Sequence, residues 1–114
     1  MLTESDILEA LRVCYDPELQ INIVDLGRVD RIHIEADSEA PGPTPRAHVI
    51  IDLFPSHEEQ DSMLAALITN RLLGIFAISR AHVTFADEPW TPDRMNSSAR
   101  AQRSKQQGLI QLGD

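Results

Sequence analysis

Two stretches of alternating apolar and polar residues, 29–36 and 47–54, lie on either side of a segment rich in proline, glycine and acidic residues. In the first stretch the apolar side chains of Ile32, Ile34 and Ala36 share one face, and in the second those of Val49, Ile51 and Leu53 do. This alternation predicts two half-buried strands. The segment 37–45 between them reads as an exposed loop joining paired strands.

Helix-start signals occur before and after this predicted hairpin. Thr3 is a capping residue, with Asp6 three positions later as its acidic partner, and a helical apolar spacing follows at Ile7, Leu8 and Leu11. Pro17 is predicted to end this first helix. It is also predicted to occupy the first position of a further helical segment that Asp16 caps. Gly27 is predicted to allow a turn with positive φ before the first strand.

A second long helix is predicted after the hairpin. Ser56 and Glu59 form a capping-box pattern, and Gly74 lies where a glycine commonly ends a helix. The apolar stripe of this helix is predicted to comprise Met63, Leu64, Leu67, Ile68 and Leu72. A third strand is predicted within 75–86, with its register undefined, and a short helix after Thr91 and Pro92.

The resulting order is helix, strand, strand, helix, strand, short helix. A hairpin followed by a strand–helix–strand crossover predicts a two-layer α+β fold, in which a small mixed sheet of about three strands has its helices packed on one face. We expect residues 1–103 to form a single domain and residues 104–114 to be a mobile tail.

Composition narrows the classes of partner. The formal net charge of −8, from 18 acidic and 10 basic residues, argues against nucleic acid and against anionic membrane surfaces. Cys14 is the only cysteine, which is compatible with a reducing cytoplasm, where we expect the protein. We also expect no signal peptide and no membrane-spanning segment.

Two motifs stand out. The first joins Asp16-Pro17-Glu18-Leu19 to residues 22–29, Asn-Ile-Val-Asp-Leu-Gly-Arg-Val, and the second is the segment 87–95, Asp-Glu-Pro-Trp-Thr-Pro-Asp-Arg-Met. In this order, and over about residues 3–103, they resemble the small domain shared by PaaD, SufT and the cytosolic iron–sulfur targeting proteins.

The resemblance implies an accessory or adaptor role in iron–sulfur cluster assembly or metalloprotein maturation, exerted by contacts with assembly or client proteins and not by catalysis. Most members carry a cysteine between the second strand and the second helix. Here the corresponding stretch, residues 52–59, contains His57 but no cysteine, although thiolate is the ligand that suits such clusters. No cofactor is therefore certain, and iron or an iron–sulfur cluster would be bound transiently. The tail also lacks the cysteines of the PaaD branch, so the chain looks closer to the stand-alone SufT-like kind or to a degenerate relative.

The motifs supply the candidate partner-binding residues, which are Asp16, Glu18, Asp25, Trp90, Asp93, Arg94 and Met95. Each has a structural alternative: Asp16 as a helix cap, Asp25 as part of a turn, and Trp90 as a cover for the edge of the core. His57 and Cys14 are the candidate metal ligands. For His57 the alternative is an exposed side chain in the first helical turn, and for Cys14 it is an inert buried thiol.

Two other functions remain open from the sequence. One is a metal-binding protein that uses His57 and nearby carboxylates. The other is a degenerate structural subunit of an oxygenase-type complex. Because a short sheet leaves an unpaired strand edge, a homodimer is a further expectation.

Overall fold

The computed structural model describes the backbone of residues 2–112 and the side chains of residues 2–106. Its elements are α1 (Glu4–Leu11), β1 (Val29–Ala36), β2 (Ala47–Leu53), α2 (Glu58–Leu73), β3 (Ile78–Phe85), a 3₁₀ turn (Pro92–Arg94) and α3 (Ser97–Leu112). The predicted α+β class is confirmed, and so is the order of its first six elements.

The sheet has the strand order β1-β2-β3, with β1 antiparallel to β2 and β2 parallel to β3. The mixed sheet therefore arises as predicted, from a hairpin and a crossover through α2. The register places Val29 beside Leu53, and Leu53 beside Phe85. As a result, the segment before β1 and the segments after β2 and β3 all emerge at one end of the sheet.

The core lies between one face of the sheet and the helices α1 and α2. Its fully buried side chains include the predicted inward residues of β2 and the inner faces of both helices: Val49, Ile51, Leu53, Ile7, Leu11, Leu64, Ile68 and Leu72. The opposite face of the sheet carries polar side chains, among them His33, Glu35, His48 and His82. Helices thus cover a single face, as expected.

The starts of α1 and α2 differ in how well the sequence predicted them. The Thr3 box is confirmed, since the Thr3 hydroxyl accepts from the Asp6 amide and the Asp6 carboxylate accepts from the Thr3 amide. The Ser56 box is wrong: α2 begins after His57, whose side chain makes no cap hydrogen bond. The Asp61 carboxylate accepts from the Ser56 amide instead, at 2.8 Å.

The predicted stripe of α2 was also too wide. Met63 and Leu67 are 54% and 48% exposed, because only one residue in four points directly at the sheet. The helical segment predicted after Pro17 is a single turn, which ends where Gln20 takes φ of 58° and the Asp16 amide donates to Ile21 O.

The C-terminal helix α3 was not predicted. Its sequence is polar, and Ala99 alone among its described side chains is fully buried, packed against Ile21 and Leu26. The mobility of residues 104–114 stays a prediction, because residues 113 and 114 and the side chains from 107 onward lie outside the described residues. Among the helices that the structure describes, none is both long and apolar enough to cross a membrane.

Candidate functional site

Four segments meet at the end of the sheet marked by Val29, Leu53 and Phe85. These are residues 16–20, 22–28, 54–57 and 86–95, and together we call them the turn edge. Backbone hydrogen bonds join the last three of these segments: the Phe54 amide donates to Arg28 O, the Trp90 amide to Pro55 O, and the Asn96 amide, one residue beyond the last segment, to Asp25 O. Both sequence motifs therefore converge on one side of the molecule, which spacing along the chain could not show.

Arg28 lies at the centre of the turn edge with 2% of its surface exposed. Its guanidinium donates to Asp16 Oδ2 at 3.0 Å, to Asp61 Oδ1 at 2.7 Å and to the carbonyl oxygen of Phe54 at 2.9 Å. A buried charge is tolerated when it is paired and hydrogen-bonded, and each of the three guanidinium nitrogens of Arg28 has an acceptor here. Arg28 thus fastens three separate segments to one another.

Neither Arg28 nor Asp61 is among the site residues predicted from the sequence, although signals for both exist in it. Arg28 is a charged residue directly before a strand, inside the first motif. Asp61 falls on the buried face of α2, three residues before Leu64 and in line with Ile68. A carboxylate on an apolar helical stripe requires a partner, and this requirement could have identified the pair.

Asp16 and Asp25, predicted to meet a partner, are each only 6% exposed. Asp16 Oδ1 accepts from the amides of Glu18 and Leu19, while its other oxygen is bound to Arg28. The structural alternative therefore describes Asp16 better than a surface contact does, because both of its oxygens are occupied inside the chain.

Asp25 is held in the same inward manner. Its carboxylate accepts from Arg12 at 2.9 Å, from the Asn22 side chain at 2.8 Å and from the Asn96 side chain at 2.9 Å. Burial by itself raises the pKa of Asp25, but the hydrogen bonds from Asn22, Asn96 and Arg12 outweigh it, so the pKa lies below its usual value. Asp25 accordingly shapes the turn and ties it to the start of α3.

Gly27 and Arg94 form the tightest approach in the turn edge. Gly27 has φ of 73°, and a Cβ added there would overlap the carbonyl oxygen of Arg94. The Arg94 guanidinium stacks 3.6 Å from the centre of the Phe54 ring and pairs with Glu88 at 3.0 Å. Arg94 is therefore partly a packing residue, and its Nε is buried without a hydrogen-bond partner among the described residues.

Trp90 covers the edge of the core and is also partly exposed. Its indole N–H donates to Leu26 O at 2.6 Å, which fixes the ring, while the side chain packs beside Leu19 and Met95 and stays partly exposed. Asp93 is exposed on the 3₁₀ turn. The accessible part of the turn edge thus includes Trp90, Met95 and Asp93.

Glu18 and His57 are also accessible. Their side chains are 54% and 65% exposed, and Glu18 Oε2 lies 3.7 Å from His57 Nε2. This separation exceeds hydrogen-bonding distance, so the pair is a loose contact between two segments of the turn edge.

The candidate metal ligands lie in different environments. Cys14 is 4% exposed within the aliphatic core, and burial raises the pKa of its thiol, which disfavours the thiolate that a metal would need. Of the side chains described here, no three His, Cys, Asp or Glu residues gather in a way that would hold a metal ion. The residues near His57 therefore do not fit a resident iron–sulfur cluster.

Comparison with known proteins agrees with this architecture. A solved structure of a conserved hypothetical protein from Thermotoga maritima has a TM-score of 0.68 and 25% identity, covering 89% of this chain and 93% of that one. A domain of unknown function, DUF59, from Bacillus anthracis has a TM-score of 0.65 and 21% identity, covering 86% and 88% respectively, and supports the fold alone.

Sequence comparison is more specific. A curated Porphyromonas gingivalis protein described as an Fe-S protein maturation auxiliary factor is 46% identical over 35 residues, which cover 31% of this chain and 33% of that protein. The match thus spans about a third of the relative's length. A family model for iron–sulfur cluster assembly proteins matches residues 4–67, a range that contains the ionic centre of the turn edge but not Trp90. Since that range is more than half of the chain, this protein belongs to the iron–sulfur cluster assembly protein family.

Proposed function

We propose that this chain acts as an accessory factor in iron–sulfur protein maturation by presenting the turn edge to partner proteins. The observation that carries the proposal is the convergence of both motifs on one surface, where the buried Arg28 fixes the first motif and hydrogen bonds from Trp90 to Leu26 O and Pro55 O join the second motif to it. Rigid turns favour binding, because little conformational freedom is lost when a partner docks. The surface that a partner would meet includes Glu18, His57 and Trp90.

In this proposal the chain makes and breaks no bond. Support comes from the state of its reactive groups: the Cys14 thiol is buried and its pKa is raised, and His57 contacts Glu18 only loosely. Nucleophilic catalysis would require an accessible nucleophile beside a base.

Iron or a cluster would enter the proposal as cargo held by the partners. The turn edge has no thiolate ligand among its described residues, so a partner would supply the ligands. The assembly or client proteins of an iron–sulfur pathway are the expected partners, and both strand edges, β1 and β3, leave a homodimer open as a further expectation.

The test is affinity capture from host extract with Trp90→Ala, followed by identification of the bound proteins. We expect the wild type to retain iron–sulfur assembly or client proteins, and Trp90→Ala to lose them. Phe76→Ala is the matched control, since Phe76 is an aromatic residue that is 69% exposed before β3, at the other end of the sheet.

Trp90 also packs internally, so circular dichroism must show that the variant is folded, and Glu18→Lys provides a second disruption on an exposed residue. If both variants keep every partner that the wild type binds, the turn edge is not the docking surface.

A further inference from the structure

One stretch near the C-terminal end of this acidic chain is rich in basic residues and contains no acidic ones. Residues 94–113 contain four of the 10 basic residues, Arg94, Arg100, Arg103 and Lys105, and none of the 18 acidic ones. The described first part of α3 is therefore a basic element attached to an acidic body, which net charge alone conceals.

A groove of about 570 Å³ lies between this basic part of α3 and the turn edge. Its lining residues are Leu19, Trp90, Pro92, Met95, Arg100, Arg103 and Ser104. Four of the seven are apolar or aromatic, two are arginines, and this lining contains no carboxylate. A concave apolar surface with a few fixed polar groups is typical of a binding site.

The arginines lie along one side of the groove. The Arg100 guanidinium donates to the carbonyl oxygens of Met95 at 3.1 Å and Asp93 at 3.0 Å, so it is held beside the apolar floor. Arg103 follows three residues later in α3 and therefore lies on the same helical face. A guanidinium has five N–H donors, so Arg100 keeps donors beyond the two it uses here.

The floor of the groove is equally well defined. The indole N–H of Trp90 is bound to Leu26 O, and the ring packs beside Leu19 and Met95. Tryptophan and arginine are among the residue types most enriched at binding hot spots, and the groove contains both.

We propose that this groove binds a short apolar segment of a partner protein that also carries carboxylates. Apolar side chains of the segment pack on Trp90 and Met95, and its carboxylates pair with Arg100 and Arg103. The inference rests on the proposed function, because it names the chemistry of the partner at one end of the turn edge. A polyanion such as nucleic acid fits less well, since the acidic body surrounding the groove would repel a long phosphate backbone.

The probe is a short blocked peptide of alternating leucine and glutamate, titrated against the full chain while the fluorescence of Trp90 is followed. Trp90 is the only tryptophan, so a change in its emission reports on the groove directly. We expect binding that weakens as salt is raised, because paired charges at a surface are screened. A matching leucine–lysine peptide, a polyglutamate peptide and a short single-stranded DNA should each bind more weakly.

The double variant Arg100→Gln/Arg103→Gln should weaken the leucine–glutamate peptide by about tenfold or more, because two charge-assisted contacts are lost. The control is the double variant Arg31→Gln/Arg80→Gln, which replaces one arginine of β1 and one of β3, neither of which lines the groove. It should bind the leucine–glutamate peptide as the wild type does. Arg103→Gln alone repeats the test without removing the bonds that Arg100 makes to the backbone.

Equal binding of the lysine peptide, tighter binding of the DNA, or undiminished binding by both Arg103→Gln and the double variant would overturn the inference. The proteins captured from host extract distinguish a failure of this inference from a failure of the proposed docking role. If they depend on Trp90 and Glu18 but remain bound to the arginine variants, the docking role stands and this groove is not its acidic-peptide site.

Discussion

Two clusters of polar and charged side chains lie in different parts of this molecule and differ in their exposure to water. At the turn edge, Arg28 is 2% exposed and bridges Asp16 and Asp61, whose side chains are 8% and 9% exposed. On the open face of the sheet, Glu35 lies 3.2 Å from His33 Nε2 and 3.1 Å from His48 Nδ1. Both clusters include a contact between residues from separate segments of the chain, Arg28 with Asp61 in the first and Glu35 with His48 in the second, but only the first cluster is removed from water.

This difference decides what each cluster contributes. Water and salt screen the open-face cluster, whose Glu35 side chain is 49% exposed, so its histidine–glutamate contacts contribute little to stability. The Arg28 cluster cannot be solvated if one member is lost, because the remaining charges stay buried. We therefore expect the turn edge to keep a fixed shape and the open face to tolerate substitution.

The most severe test of the comparison is Arg28→Ala. It leaves the carboxylates of Asp16 and Asp61 buried without their cation, and we expect a loss of about 3–5 kcal/mol in the free energy of unfolding. The measurement is urea-induced unfolding followed by circular dichroism. Arg31→Ala is the control, since its side chain is 83% exposed and its loss should change stability by no more than about 0.5 kcal/mol. Similar losses in the two variants would contradict the comparison.

A second test compares two glycines with positive φ. Gly27→Ala places a methyl group against the carbonyl of Arg94 in addition to the strain of φ at 73°, and we expect a loss of about 2 kcal/mol or more. Gly42→Ala has φ of 97° with nothing within 4 Å of the added atom, so it should cost only the backbone strain, about 1 kcal/mol. Thermal unfolding of both variants gives the difference, and a larger cost at Gly42 would show that contact with Arg94 is unimportant.

The sequence predicted most of the fold because its signals are local. Alternation set the inward face of β2, and the Thr3 box set the start of α1. The prediction failed where a distant residue competes with a local pattern. Ser56 does not cap α2, because Asp61 binds both its amide and Arg28.

The candidate site could be predicted only in part for the same reason. The two motifs identified the segments that converge, but not which side chains face inward. Asp16 and Asp25 look like accessible acids in the sequence. Their partners are not sequence neighbours: Arg28 is 12 residues from Asp16, and Arg12 is 13 residues from Asp25. The helix α3 is polar over most of its length and Ala99 is its one fully buried residue among the described side chains, so few apolar positions indicate it in the sequence.

Substitution of Asp25 should have an effect on stability between those at Arg28 and at the open face. Asp25 is buried, but its partners are two neutral asparagines and the partly exposed Arg12. Its folded pKa is below the unfolded value, so its contribution to stability is fully present above the unfolded pKa, near 4, and is lost as pH falls through the folded pKa. We expect Asp25→Asn to lose about 1–3 kcal/mol at neutral pH. The gap between the two proteins should narrow as the wild type is titrated to acid, and a gap that is constant with pH would show that the charge of Asp25 is not what stabilises the turn.

The smallest expected effect is on the open face. Hydrogen bonding from His33 is the main cause that lowers the pKa of Glu35, followed by contributions that include His48. His33→Ala should therefore raise the pKa of the Glu35 carboxyl, measured by NMR titration of its side-chain carbon, while the unfolding midpoint at neutral pH stays where it is in the wild type. An exposed pair can change a proton affinity without holding the fold together, because solvent takes over the role of the missing partner. A clear fall in the unfolding midpoint would mean that the open face is less well hydrated than the exposure of Glu35 indicates. The open-face cluster and the Arg28 cluster would then both stabilise the fold and differ only in the size of their contributions.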